Sequence, residues 1–145
     1  MSLLSSVLAA ALLVWPQLAS MSISQALIWL IAPHMFLRFI GLSFLVPGVV
    51  SPALQREWAR PAAYGDLAAG GLAIVATVSL IVGTGWAIAA AWLFNVIGAG
   101  DLLYAFYKGA RVRLDPGSLG AAFYIVTAIV PPLLVTHALI FIVLI

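Results

Sequence analysis

The sequence predicts an all-helical, polytopic transmembrane bundle of five spans. Three observations predict it: an extreme apolar composition, long apolar stretches separated by short polar ones, and cations gathered into two of those polar stretches. Of 145 residues, 66% are hydrophobic and 7% charged, against about 45–50% and about 25% in ordinary soluble domains. A soluble fold of this length has too little interior to hide so much apolar surface. The chain has no cysteine, which excludes disulfides, thiolate catalysis, iron–sulfur clusters and cysteine-ligated zinc. Its net charge of +2 is too small and too dispersed for a nucleic-acid surface.

A helix needs about 20 apolar residues to cross the hydrocarbon core. The first candidate, 3–18, is short and resembles a signal peptide. It lacks a basic leader, and Pro16 crowds any cleavage point, so the reading is a first span. The second span runs over 25–50, interrupted by His34 and Arg38. The polar stretch 51–60 closes on Pro61, and proline favours the first turn of a helix, so the third span is placed at 61–82. Gly83-Thr84-Gly85 makes a hairpin into the fourth span, 86–107. Asp115-Pro116-Gly117 ends the next polar loop, and the fifth span takes 119–145. Together these form one transmembrane domain, 1–145. The rival reading has four spans, with the first segment lying on the surface.

Arg56 and Arg60 fall in the second loop, and Lys108, Arg111 and Arg113 in the fourth. Positive loops stay cytoplasmic, so five spans put the N-terminus inside and the C-terminus outside. Trp15, Trp29 and Trp86 then fall near the outer interface and Tyr64, Tyr104 and Tyr107 near the inner one, as anchoring belts do.

An ionisable side chain at mid-membrane costs at least about 2.5–3.5 kcal/mol and therefore faces the bundle interior with a partner. His34, Arg38, Asp66, Asn95, Asp101 and His137 are the candidates for an intramembrane polar cluster or ligand site. At about 1.5 Å of rise per residue, His34, Asn95 and His137 lie roughly 12–15 Å below the outer surface. Arg38 and Asp101 lie deeper, with Asp66 nearer the cytoplasmic face. The expectation is therefore two layers, an outer His–Asn layer and an inner Arg–Asp cluster. His34 and Arg38, four apart, share a helix face. Asn95 and Asp101, six apart, point about 120° apart with Gly98 between them, so the layers are not expected to open into one cavity. Gly65-Asp66-Leu67 and Gly100-Asp101-Leu102 repeat one tripeptide near the cytoplasmic ends of antiparallel helices.

Each layer has a structural and a functional reading. Structurally, the arginine fork serves both acids and pins three helices. Functionally, Arg38 binds an anionic headgroup while an acid exchanges a proton. In the outer layer the histidines either hydrogen-bond neighbouring helices or ligate a haem b. In the haem reading Arg38 meets a propionate and Gly41 or Gly98 admits the ring. Zinc would need a third ligand from the other layer. Pro131-Pro132 interrupts the fifth span and leaves carbonyls near Thr127 and Ala128 without donors. This is either a plain kink or a lining for a site beside His137. Small residues at Gly70, Gly71, Gly98 and Gly100 favour close helix approach. No nucleophile elbow, nucleotide loop or metalloprotease motif is present.

The segments HMFLRFIG, YGDLAAGGLA, WLFNVIGAGDLLYAFYKG and VPPLLVTHALIF resemble a group of short bacterial multi-pass proteins labelled uncharacterised. The residues carrying the resemblance are Arg38 with Gly41, Gly65-Asp66, Asn95 with Gly98 and Asp101, and Pro132 with His137. The resemblance implies a bacterial inner-membrane location and no activity. The expected function is binding or transport of an ion, lipid or small amphiphile at the polar site. At this size a carrier is expected to be a homo-oligomer in contact with membrane lipid. The alternatives are an accessory subunit of a membrane complex, an intramembrane enzyme using Asp101 or His137, and a haem protein.

Overall fold

The structure, a computed structural model, describes residues 2–145. Among these residues the regular structure is all helical. A short apolar helix, α1 (Ser2–Leu18), precedes four helices long and apolar enough to cross a membrane. These are α2 (Ile23–Leu45), α3 (Arg56–Val82), α4 (Ala87–Arg111) and α5 (Ile125–Leu144). Large apolar side chains, among them Leu12, Trp29, Phe36, Ile81 and Leu103, stand exposed around the outside, a surface that is costly in water.

The helices depart from the expected spans for local reasons. Ser22 caps α2, its hydroxyl accepting from the Gln25 amide while the Gln25 side chain accepts from the Ser22 amide, so both orphan donors are met. The expected span to residue 50 instead stops at Leu45. Val46 is extended (φ −90°, ψ 116°) because a residue before proline avoids the helical region. Conversely, α3 begins at Arg56, five residues ahead of Pro61. Trp58 anchors that extra turn: it is buried, packs edge-on against Phe44 at 5.0 Å and donates Nε1–H to the Ala105 carbonyl at 2.9 Å. Gln55 likewise donates to the Val112 carbonyl at 3.2 Å. These bonds join the start of α3 to the end of α4, so Arg56, Arg60, Lys108 and Arg111 gather at one end of an antiparallel hairpin. Buried alanines, including Ala63, Ala69, Ala73, Ala76 and Ala91, let the backbones approach closely.

The fifth span does not begin at residue 119. Pro116–Ala122 forms 3₁₀ turns broken at Gly120 (φ 54°, ψ −133°). Ser51 and Ala121 amides donate to the Ser118 and Val49 carbonyls at 3.0 and 2.9 Å, stapling the segment after α2 to the segment before α5. In α5 a π turn, Ile125–Ile129, stands just ahead of Pro131-Pro132, and the Val130 amide donates to the Ile125 carbonyl. The wide turn changes the backbone register where the prolines offer no N–H. α1 repeats the device, with a π turn at Ala10–Val14 ahead of Pro16.

Buried apolar side chains fall into two clusters. Along each long helix the polar residues occupy the levels between them. His34 and Arg38 lie between Ile31 and Phe44, Asp66 between Ala63 and Ala73, Asn95 between Phe94 and Leu102, and His137 between Leu133 and Leu139.

A side chain at Gly120 would bring its Cβ within 2.5 Å of the Val49 carbonyl, in a backbone region that L residues rarely adopt. Gly120→Ala is expected to cost about 1–3 kcal/mol and to lower the thermal midpoint in detergent. Gly71→Ala, which meets open space, is expected to leave that midpoint unchanged or raise it.

Candidate functional site

Arg38 stands on the 3₁₀ stretch Arg38–Leu45 that ends α2, and it is 0% exposed. Its guanidinium reaches three other helices. Nη1 donates to Asp66 Oδ1 on α3 at 2.5 Å and to Asp101 Oδ2 on α4 at 3.1 Å. Nη2 donates to the Gly98 carbonyl on α4 at 2.5 Å and to His137 Nε2 on α5 at 3.1 Å. The two terminal nitrogens carry four hydrogens, and these four partners take them all. Only Nε is left without a partner among the described residues.

The same bonds fix the imidazoles. Asn95 Nδ2 donates to the His137 carbonyl at 3.2 Å, which turns Asn95 Oδ1 toward His137 Nδ1 at 2.7 Å. An amide oxygen only accepts, so His137 Nδ1 carries the hydrogen and Nε2 is the acceptor for Arg38. His34 Nε2 lies 2.8 Å from Thr136 Oγ1, whose own hydrogen goes to the Leu133 carbonyl at 2.8 Å. His34 therefore donates through Nε2, and its buried Nδ1 is an acceptor with no donor among the described residues. The His34 ring packs on His137 at 4.6 Å and edge-on to Phe94 at 5.1 Å between centroids.

Three glycines make the room. A Cβ at Gly41 would overlap the Asp66 carboxylate, one at Gly65 the Asp101 carboxylate, and one at Gly98 the His137 ring. Each lies on the helix facing the polar side chain it accommodates.

All six polar residues singled out by sequence meet here, but as one network rather than two separate layers. The length of the Arg38 side chain carries it past Gly98, so one guanidinium touches an acid at one level and an imidazole at the next. The tripeptide repeat is not mirrored in the packing: Gly65 faces Asp101, whereas Gly100 faces open space. Sequence reasoning missed the Gly98 carbonyl, Thr136 and Phe94. A backbone acceptor has no signature in residue type, although Thr136 beside His137 was visible. The haem reading does not fit the geometry. An iron ligated by both histidines would stand between rings that are instead in contact, His137 Nε2 is occupied by Arg38, and Gly41 and Gly98 are filled by Asp66 and His137.

A cavity of about 300 Å³ opens beside the network. Asp66 and Asp101 line it, with walls of Phe44, Trp58, Leu102, Phe106 and Val130, and Arg113 toward the basic end of the bundle.

The chain belongs to the family described as a domain of unknown function, DUF8737. The family model matches residues 1–145. Comparison with curated proteins and with solved structures finds no match. DUF8737 membership fits the resemblance to an uncharacterised group and brings no activity with it, so the chemistry rests on the geometry above.

Removing one partner of a buried ion pair costs about 3–5 kcal/mol. Arg38→Ala is therefore expected to lower the thermal midpoint sharply or to abolish folding. Arg38→Lys is expected not to restore it, because a point charge cannot serve four acceptors in a fork. A wild-type midpoint for the lysine variant in matched detergent would show that the fork geometry is dispensable.

Proposed function

We propose that this chain is a small integral membrane protein whose intramembrane polar site binds, or moves across the bilayer, an ion, lipid or small amphiphile. The observation carrying this reading is the cavity whose apolar walls lead to the Asp66 and Asp101 carboxylates. Placing two acids in such a setting is costly, and a purely adhesive network would be better served by a filled space. Residence in a bacterial inner membrane as a homo-oligomer among lipids, with five spans and the N-terminus in the cytoplasm, completes the proposal. The basic end formed by Arg56, Arg60, Lys108 and Arg111 supports that orientation under the positive-inside rule.

The second reading is an accessory subunit of a larger membrane complex. It is favoured by the engagement of all four terminal hydrogens of Arg38, which fastens α2 to three neighbours and is a structural role complete in itself.

Native mass spectrometry on gently extracted protein separates the two. The proposal expects a self-associated species retaining a stoichiometric small ligand. Filling the cavity with Ala105→Leu is expected to lower that occupancy by about tenfold or more, equivalent to roughly 1.4 kcal/mol. Extraction with a fixed set of large partners and no retained ligand supports the subunit instead.

The chain lacks cysteine, so single-cysteine labelling gives topology directly. In intact cells Gly85→Cys is expected to react with an impermeant maleimide, and Arg111→Cys only after lysis. The reverse pattern would invert the proposed orientation.

A further inference from the structure

We infer that the head group taken by this cavity is a protonated amine carried on an apolar body. The inference deepens the amphiphile reading above and depends on it.

The charge balance points there. Among the described residues Asp66 and Asp101 form ion pairs with Arg38 alone, so two carboxylates share one guanidinium and one negative charge is left over. Each acid gives Arg38 a single oxygen, Asp66 Oδ1 and Asp101 Oδ2. The second oxygens, Asp66 Oδ2 and Asp101 Oδ1, accept no hydrogen bond from the described residues. Asp66 is 7% exposed, so water does little to compensate its free oxygen, and that deficit favours a charged donor. Gly41 and Gly65 lie against these oxygens with no side chain to donate to them.

The other head groups fit less well. An anion needs donors, but the four terminal hydrogens of Arg38 are spent, its unpaired Nε–H belongs to a residue that does not line the cavity, and the two carboxylates that do line it would repel an anion. A neutral head leaves the excess charge in place. A hard metal cation wants about six oxygen ligands, whereas this cavity is walled mainly by carbon. An ammonium needs only acceptors and an aromatic face, and Phe44, Trp58 and Phe106 line the cavity beside the two acids. Arg113 would repel a bare cation entering from the basic end, but it suits the phosphate of a zwitterionic aminophospholipid whose amine points inward. The ammonium is thus the shared chemistry of two sources, a free long-chain amine and a membrane aminophospholipid.

The test titrates the full chain in nanodiscs with dodecylamine, dodecanol and dodecyl phosphate, reading occupancy by native mass spectrometry. Dodecylamine is expected to bind about tenfold or more tightly than dodecanol, the equivalent of one charge-assisted hydrogen bond, with dodecyl phosphate weakest. Asp101→Asn, which keeps shape and removes charge, is expected to bring dodecylamine down to the dodecanol level. Equal binding of amine and alcohol, or indifference of the amine to Asp101→Asn, means that a proton already balances the pair. The ammonium inference then falls while the amphiphile site stands. Failure of all three ligands to bind removes the site itself. Should Asp101→Asn not fold, the ranking of the three ligands on the wild-type chain still decides. Retention of phosphatidylethanolamine over phosphatidylglycerol, weakened by Arg113→Gln, identifies a lipid source. Dodecylamine binding without such retention identifies a free amine, and either source supports the inference.

Discussion

A guanidinium buried among helices has to find acceptors for its hydrogens, and much of this bundle is arranged to supply them. Arg38 draws one carboxylate from α3, a carboxylate and a carbonyl from α4 and an imidazole nitrogen from α5. Those demands set the distances between helices. They explain why small residues are placed where polar side chains must pass, with Gly41, Gly65 and Gly98 each giving way to a side chain from a neighbouring helix. They also explain the division of the apolar core into two clusters with a polar level between them.

Around that level the roles diverge. His137 is held from both sides, by Asn95 and by Arg38, and acts as a spacer that orients the arginine. His34 completes the packing through Thr136 and Phe94. The acids differ from both because each lines the cavity and keeps an oxygen that no donor among the described residues reaches. Under the proposed function, adhesion and ligand chemistry are thus served by different atoms of one network.

The long apolar helices, the gathering of cations at one end and the six polar residues were legible in the sequence, because each follows from a cost that a bilayer would impose on residue type. The joining of the two polar levels was not. Counting rise per residue places Cα atoms, whereas Arg38 acts through a long side chain that reaches a neighbouring level. Helix ends also escaped where tertiary contacts overrode local signals. Pro61 marks a start by local rules, yet the burial of Trp58 extends α3 ahead of it. The break at Gly120 lies against a partner distant in sequence, the Val49 carbonyl.

The π turn in α5 accommodates more than two prolines. Relative to uniform α-helix it inserts one residue, and one residue corresponds to about 100° of rotation about the helix axis. Everything beyond Ile129 is turned by that amount, including His137. Without the insertion the imidazole would point away from Arg38, and one guanidinium hydrogen would lose its acceptor. The Ile125–Ile129 turn therefore works as a phase adjustment, aligning the far half of α5 with a charge carried on α2.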